Sequence, residues 1–411
     1  MNKTIYLIAA LCVLSLQVEA DTAWIVRSRE SASGMMLLHG CREAKKQLEL
    51  GMRYETPEKN RNIRFRHLRI GDRGGFTFAA LNERGLAIVF TGGDPTSDFR
   101  PPKDPSNVTG NFGTVNMAGK CASAPEAVKW LRGEFEKGRI CGNLIFLIAD
   151  TQRAFAVECA NRHFASWELP HAICVYANCW KLPGMDDASL GTAERAARNY
   201  QREWTARELL RRALKTKGGI SVRDSLAISR AGAADMNDPK FDKARGPRKL
   251  FTAPYNRASV DSYLFELDSE FPEFLSTVYA AWGPQRHTVY LPIPLGAADA
   301  LPKGIFSDEW VGSAVRRRDA ATDGAPVDPR LLEFEDRQLR EFSKVREAAR
   351  ILLQKDDPDG ARKLLKETLD RQARETAEFL TGSKKSSRMP RCLRSFYNLF
   401  RSRTDAETKA K

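Results

Sequence analysis

His39, Cys41 and Glu43 fall at every second position, so on an extended strand an imidazole, a thiol and a carboxylate share one face. That face could ligate a metal or line a pocket. One strand's worth of ligands is too few for a metal site, so no metal is expected. His67, His163, His171 and His287 lie in or beside separate strands with no shared spacing and are read as core or surface residues. Cys141, Cys159 and Cys174 sit in apolar segments, as buried thiols do, and Cys174 and Cys179 do not form a C-x-x-C pair, so neither redox nor zinc chemistry is expected. There is no G-x-S-x-G elbow, phosphate loop or dinucleotide fingerprint. Lipase, NTPase and dehydrogenase readings, and any cofactor, therefore lack support.

Which residues could begin a chemical site depends on where the working chain starts. Lys3, the apolar run 5–16 and Val18-Glu19-Ala20 have the order of a secretory leader, which predicts export, periplasmic or secreted, and a chain opening at Asp21. No later run is long and apolar enough to be read as a membrane helix. The 411 residues carry a net charge of +14, and residues 384–411 supply half of it, with nine Lys or Arg against Asp405 and Glu407. The body is thus mildly basic and no nucleic-acid partner is expected. The tail, with basic residues across 384–403 and Leu393, Phe396, Tyr397 and Phe400 between them, is expected to touch anionic membrane or envelope surfaces.

The elements that must position these groups follow from periodicity. Strands are predicted at 22–28, 35–39, 62–70, 76–81 and 86–91, then a Pro-rich loop over 94–113. Ser123-Ala124-Pro125-Glu126 is a capping box that opens a helix through Phe135. A hairpin spans 143–149 and 154–160, and a further strand 172–177. Helices are predicted at 190–214 and 222–229, and strands at 259–267, 277–282 and 288–291. Strands, helices and strands again imply layered sheets flanked by helices. A charged helical hairpin follows over 329–380, broken at Asp356-Asp357-Pro358.

Several segments, in order, resemble the dipeptidase, choloylglycine-hydrolase and penicillin-acyltransferase branch of N-terminal nucleophile hydrolases. They are Asp21-Thr22-Ala23-Trp24-Ile25-Val26, Ser33-Gly34-Met35-Met36-Leu37-Leu38-His39, Leu81-Asn82-Glu83-Arg84-Gly85-Leu86-Ala87, Ala149-Asp150 with Val157-Glu158, Tyr176-Ala177-Asn178-Cys179-Trp180, Thr192-Ala193-Glu194-Arg195 and Ala281-Trp282-Gly283-Pro284. The resemblance implies an α+β fold, a four-layer αββα sandwich of two antiparallel sheets, over residues 21–320. The helical extension would then cover 327–380 and the tail 381–411.

In that family the first residue of the mature chain attacks an amide carbonyl and its own amine is the base. Here that residue is Asp21, which has neither thiol nor hydroxyl. Thr22 would serve only after further trimming. Cys41 would serve only if the chain were cut after Gly40, and the polar continuation Arg42-Glu43-Ala44-Lys45-Lys46 does not look like the apolar strand a nucleophile heads. By resemblance Glu43 takes the place of the acid that orients the amine, Gly40 or Arg42 that of a basic substrate contact, Asn178 that of the oxyanion donor and Arg195 that of a supporting arginine. Asn82 joins them as a candidate. Two functions stand: hydrolysis of linear amides such as dipeptides or N-acyl amino compounds, or a silent descendant that binds a related small ligand.

Overall fold

Apolar residues run consecutively through β1 (Thr22–Val26) and the start of β2 (Met36–Glu43), so each buries both faces, and the two pair antiparallel. Next come β3 (Leu50–Glu55), β4 (His67–Asp72), β5 (Thr77–Asn82) and β6 (Ala87–Gly92), followed by helices α1 (Gly110–Lys120) and α2 (Ala124–Glu136). Strands β7 (Leu144–Ala149), β8 (Ala154–Cys159), β9 (Phe164–Glu168) and β10 (Ile173–Tyr176) lead into α3 (Ala193–Lys217) and α4 (Val222–Ser229). Then follow β11 (Ser259–Leu267), the short α5 (Pro272–Leu275), β12 (Thr277–Trp282), β13 (Leu291–Pro294), α6 (Asp308–Ala320), α7 (Pro329–Gln354) and α8 (Pro358–Thr381). The computed structural model describes residues 21–44, 50–73, 75–97, 107–170, 173–185, 189–190, 193–232, 254–255, 258–302, 305, 307–322 and 325–382. The expected leader over 1–20 and the basic tail over 384–403 lie outside them.

The strands form two antiparallel sheets, ordered β10-β1-β2-β11-β12-β13 and β3-β4-β5-β6-β7-β8-β9. Ala23, Ile25, Met36 and Leu38 of the first sheet meet Leu81, Val89, Ile145 and Leu147 of the second in one apolar core. Residues one step along the same strands face the other way: Trp24, Val26 and Leu37 pack under Leu210 of α3, Leu226 of α4 and Phe342 of α7. On the far side, Ile88, Phe146 and Val157 are covered by Met117 of α1 and Leu131 of α2. The result is the four-layer αββα sandwich, an α+β fold.

Helices α7 and α8 form a hairpin, with Asp357 capping Gly360 N–H at 2.9 Å, and it packs beside the inter-sheet core. The Arg230 guanidinium, just past α4, donates to both Glu335 oxygens at 2.5 and 2.6 Å, and Arg346 donates to Glu266 at 2.5 Å.

Four local expectations are corrected. α1 occupies the end of the expected loop, β3, β9 and α6 were not anticipated, the strand expected at 62–70 begins only at His67, and that expected at 288–291 is shifted to Leu291–Pro294. α1 carries Gly110, Gly113 and Gly119 toward Phe90, Phe146 and Ile63, where an added Cβ would lie 2.2, 2.9 and 2.7 Å from those side chains. Its sequence is chosen for close approach at the expense of helix propensity.

Candidate active centre at the start of β1

Asp21 lies at the mouth of β1, only 4% exposed, on the face that looks toward the second sheet. Its backbone nitrogen donates to Asn178 Oδ1 at 2.6 Å. Its carboxylate accepts the Thr91 hydroxyl at 3.0 Å and, more weakly, the Glu43 N–H at 3.4 Å. Burial pushes this carboxyl up to about 6, and Arg42, the Thr91 hydroxyl and the Glu43 N–H oppose that only in part.

Asn178 follows β10 with φ of 62°, a left-handed backbone that asparagine accepts more readily than most residues. The loop is pinned from several sides. Glu158 on β8 accepts Lys181 N–H at 2.9 Å, Leu182 N–H at 3.1 Å and the Tyr176 hydroxyl at 2.8 Å, and the Trp180 indole donates to Asp94 O at 3.1 Å. Asn178 Nδ2 donates to Thr91 Oγ1 at 3.0 Å and Gly92 O at 2.6 Å, while its Oδ1 accepts Arg202 Nη2 at 3.1 Å. A guanidinium only donates and a carbonyl only accepts, so the amide orientation is fixed. Both amide protons are committed, and an oxyanion could be met only by exchanging one of these bonds.

Arg202, on α3, joins the parts. It donates to Asn178, to Asn199 Oδ1 at 2.7 Å and to Glu43 Oε1 at 3.3 Å, all buried. Glu43 thus holds an arginine beside the centre while its backbone touches Asp21. Arg42, one residue back and on the inter-sheet face, pairs with Asp261 and lies 3.2 Å over the Phe78 ring. Burial still raises the Asp261 carboxyl above its usual range. Gly40 is a close approach, since a Cβ there would be 2.6 Å from Tyr263.

The remaining candidates separate. Cys41 pairs across the strands with Thr22, its buried thiol 3.8 Å from Pro254 O, and burial together with the Glu43 charge drives its pKa up, away from a reactive thiolate. Thr22 turns to the helix side with Trp24, its hydroxyl buried without a partner. His39 and Cys41 do share Glu43's face, but the imidazole stacks on Trp24 at 3.5 Å and bonds Ser262 Oγ at 2.9 Å, which leaves the three side chains with separate partners. Asn82 lies at the opposite end of β6 from Thr91 and staples a turn, its amide donating to Ala118 O and Cys121 O and its oxygen accepting Arg84 and Leu86 N–H. Arg195 is in the first turn of α3, with its side chain outside the described residues. Sequence reasoning missed Thr91, Asp261 and Arg202. The last had a signal: it is seven residues beyond Arg195, two turns along the same face.

The geometry offers a buried carboxyl with its pKa raised to about 6, a fixed amide and two arginines. No protein-family model matches the chain, and no curated protein sequence matches it. Among solved structures the chain is similar to penicillin V acylase from Agrobacterium tumefaciens (TM-score 0.37, 11% identity, 68% of this chain and 93% of that one). It is also similar to a conjugated bile acid hydrolase variant from Clostridium perfringens (TM-score 0.39, 9% identity, 67% and 92%). A third is the Caenorhabditis elegans ortholog of N-acylethanolamine-hydrolyzing acid amidase (TM-score 0.37, 8% identity, 59% and 91%). At this identity and overlap these likenesses bear on neither reaction nor substrate here.

Proposed function

We propose that the chain is an N-terminal nucleophile hydrolase-like protein of the amidase kind, exported and cut after Ala20. At the Asp21 centre it takes linear amides such as dipeptides or N-acyl amino compounds, and it holds them without forming an acyl-enzyme. The observation that carries this reading is the anchoring of Asp21 itself: the nitrogen that cleavage would turn into the terminal amine is fixed on Asn178, and the side chain beside it is a carboxyl. The ordered segments from Asp21 to Pro284 support the amidase kind.

The test is single-turnover mass spectrometry and hydrolysis assays on the chain beginning at Asp21, with a panel of dipeptides and N-acyl amino acids. Turnover at the buffer rate, no covalent adduct and a ligand-dependent rise in Tm are expected. Asp21→Cys supplies a thiol beside an amine and is expected to form a detectable adduct. Robust wild-type hydrolysis that disappears in Thr22→Ala or Cys41→Ala, and persists in Asp21→Ala, would overturn the non-acylating reading. Absence of any ligand-dependent stabilisation would overturn the amide-binding one.

A further inference from the structure

A cavity of about 720 Å³ opens at the edge of the sandwich, where the outermost strands β9 and β10 of the two sheets meet under α3. Its lining reaches the loop that carries Asn178, through Tyr176, Lys181 and Leu182, but includes neither Asp21 nor the groups that bond it. β10 runs antiparallel to β1, with Tyr176 opposite Ala23 and Ile173 opposite Val26, so the cavity follows the edge strand away from the start of β1. One wall is apolar: Trp167, Leu169, Ile173 and Leu182 line it, and Trp167 is 44% exposed, an unusual setting for the largest apolar side chain.

The other wall is cationic. Lys181, Arg207 and Arg211 all line the space. Lys181 and Arg207 share a single carboxylate, Glu203, with Lys181 Nζ at 2.6 Å, and Lys181 also donates to Val175 O and lies 4.1 Å over the Tyr176 ring. Arg211 meets Glu208 at 3.2 Å with its side chain 63% exposed, a pairing that water screens and that holds the arginine weakly. Glu158, the next carboxylate, is turned inward onto the Tyr176 hydroxyl and the Lys181 and Leu182 N–H groups. Three cations thus face two carboxylates beside an apolar trough, in a volume of the size that small ligands fill.

We propose that this cavity binds a fatty acid, its carboxylate against Lys181, Arg207 and Arg211 and its chain along Trp167, Leu169, Ile173 and Leu182. The acid's head restores charge balance, and its chain covers the exposed indole. The assignment rests on this cavity alone and is independent of the amide reading.

Isothermal titration of the full chain with dodecanoate, below its micelle concentration, tests it. Saturable binding is expected. Arg207→Glu and Arg211→Glu, which reverse the charge of the head site, are each expected to weaken it about tenfold or more. Trp167→Ala should also weaken it, and dodecyltrimethylammonium, of equal chain length and opposite charge, should not bind. Arg211 is on the surface, so its variant folds even if Arg207→Glu does not. The proposal is overturned by a lack of saturable heat, by equal affinity for the cationic surfactant, or by unchanged affinity in Arg211→Glu. Asp21→Asn should leave dodecanoate binding as it was; a loss there would move the ligand to the Asp21 centre and equally overturn the assignment.

Discussion

Asp21 and Asp268 are both buried aspartates with arginines nearby, and they titrate in opposite directions. Asp268, after β11, bonds Arg346 at 3.2 Å and also Arg350, and it accepts Glu270 and Phe271 N–H at 3.1 and 2.9 Å. Burial raises its pKa, but these donors outweigh burial and hold the carboxyl below its usual range. Asp21 is the more fully desolvated of the two, and its nearest guanidinium, Arg42, is taken by Asp261, while Arg202 is taken by Glu43 and the two asparagines. Desolvation therefore wins, and the carboxyl rises to about 6. The carboxylate of the clamp that ties α7 to the sheet is compensated, whereas the acid at the centre is not. A shifted group with its donors committed elsewhere makes the Asp21 centre a functional-site candidate.

The comparison breaks first at the clamp. Arg346→Ala leaves Glu266 and Asp268 buried with too few donors and is expected to cost about 3 to 5 kcal/mol, read as a fall in the urea midpoint at constant m-value. An unchanged midpoint would mean that the Arg346 bonds add nothing net to holding the hairpin.

The two aspartates themselves give the next effect, with opposite signs. Because the folded pKa of Asp21 lies above its unfolded value, the folded state prefers the protonated carboxyl. The cost of ionising it is absent below about pH 4, grows as pH rises toward 6 and is complete above that. Asp21→Asn is thus expected to stabilise the protein by about 3 kcal/mol at pH 8 and to be neutral near pH 4. The folded pKa of Asp268 is depressed, so its stabilisation is present above the unfolded pKa and lost as pH falls through the folded one; Asp268→Asn should destabilise at pH 7 and progressively less in acid. Unfolding curves across pH for both variants decide it, and parallel curves would erase the distinction.

The smallest effect sharpens the origin of the shift. Thr91→Val removes the hydroxyl that donates to Asp21 and should raise that carboxyl further, at a cost of about 1 kcal/mol, seen as a later titration in carbon-13 NMR of Asp21. No movement would place the Thr91 bond outside the balance.

Much of this was legible in the residue order. Strands at 259–267 and 277–282, the helix at 222–229 and the Ser123 cap were readable because alternation and capping chemistry are local, and Ser123 Oγ does accept Glu126 N–H. α1 was not, because glycines that allow close packing on Phe90 and Phe146 look like loop residues until the sheet beneath them is known. At the centre, Asp21, Glu43 and Asn178 could be listed from their order, and they do meet. The links between them could not. Arg202 is one of many arginines on α3, and Asp261 reaches Arg42 only because β11 lies beside β2. Pairing across more than two hundred residues leaves no local trace.

The outer strand β13 has a consequence for association. It reads Leu-Pro-Ile-Pro and is the last strand of its sheet, with Pro292 opposite Tyr279 and Pro294 opposite Thr277. Proline has no N–H, and two at alternate positions strip donors from a single side of the strand. The side that tolerates the loss is the one away from β12, and all four residues of the strand are buried, so this edge is both stripped of donors and covered. A strand from another copy would find half of every ladder missing there, which guards this rim against edge-to-edge aggregation.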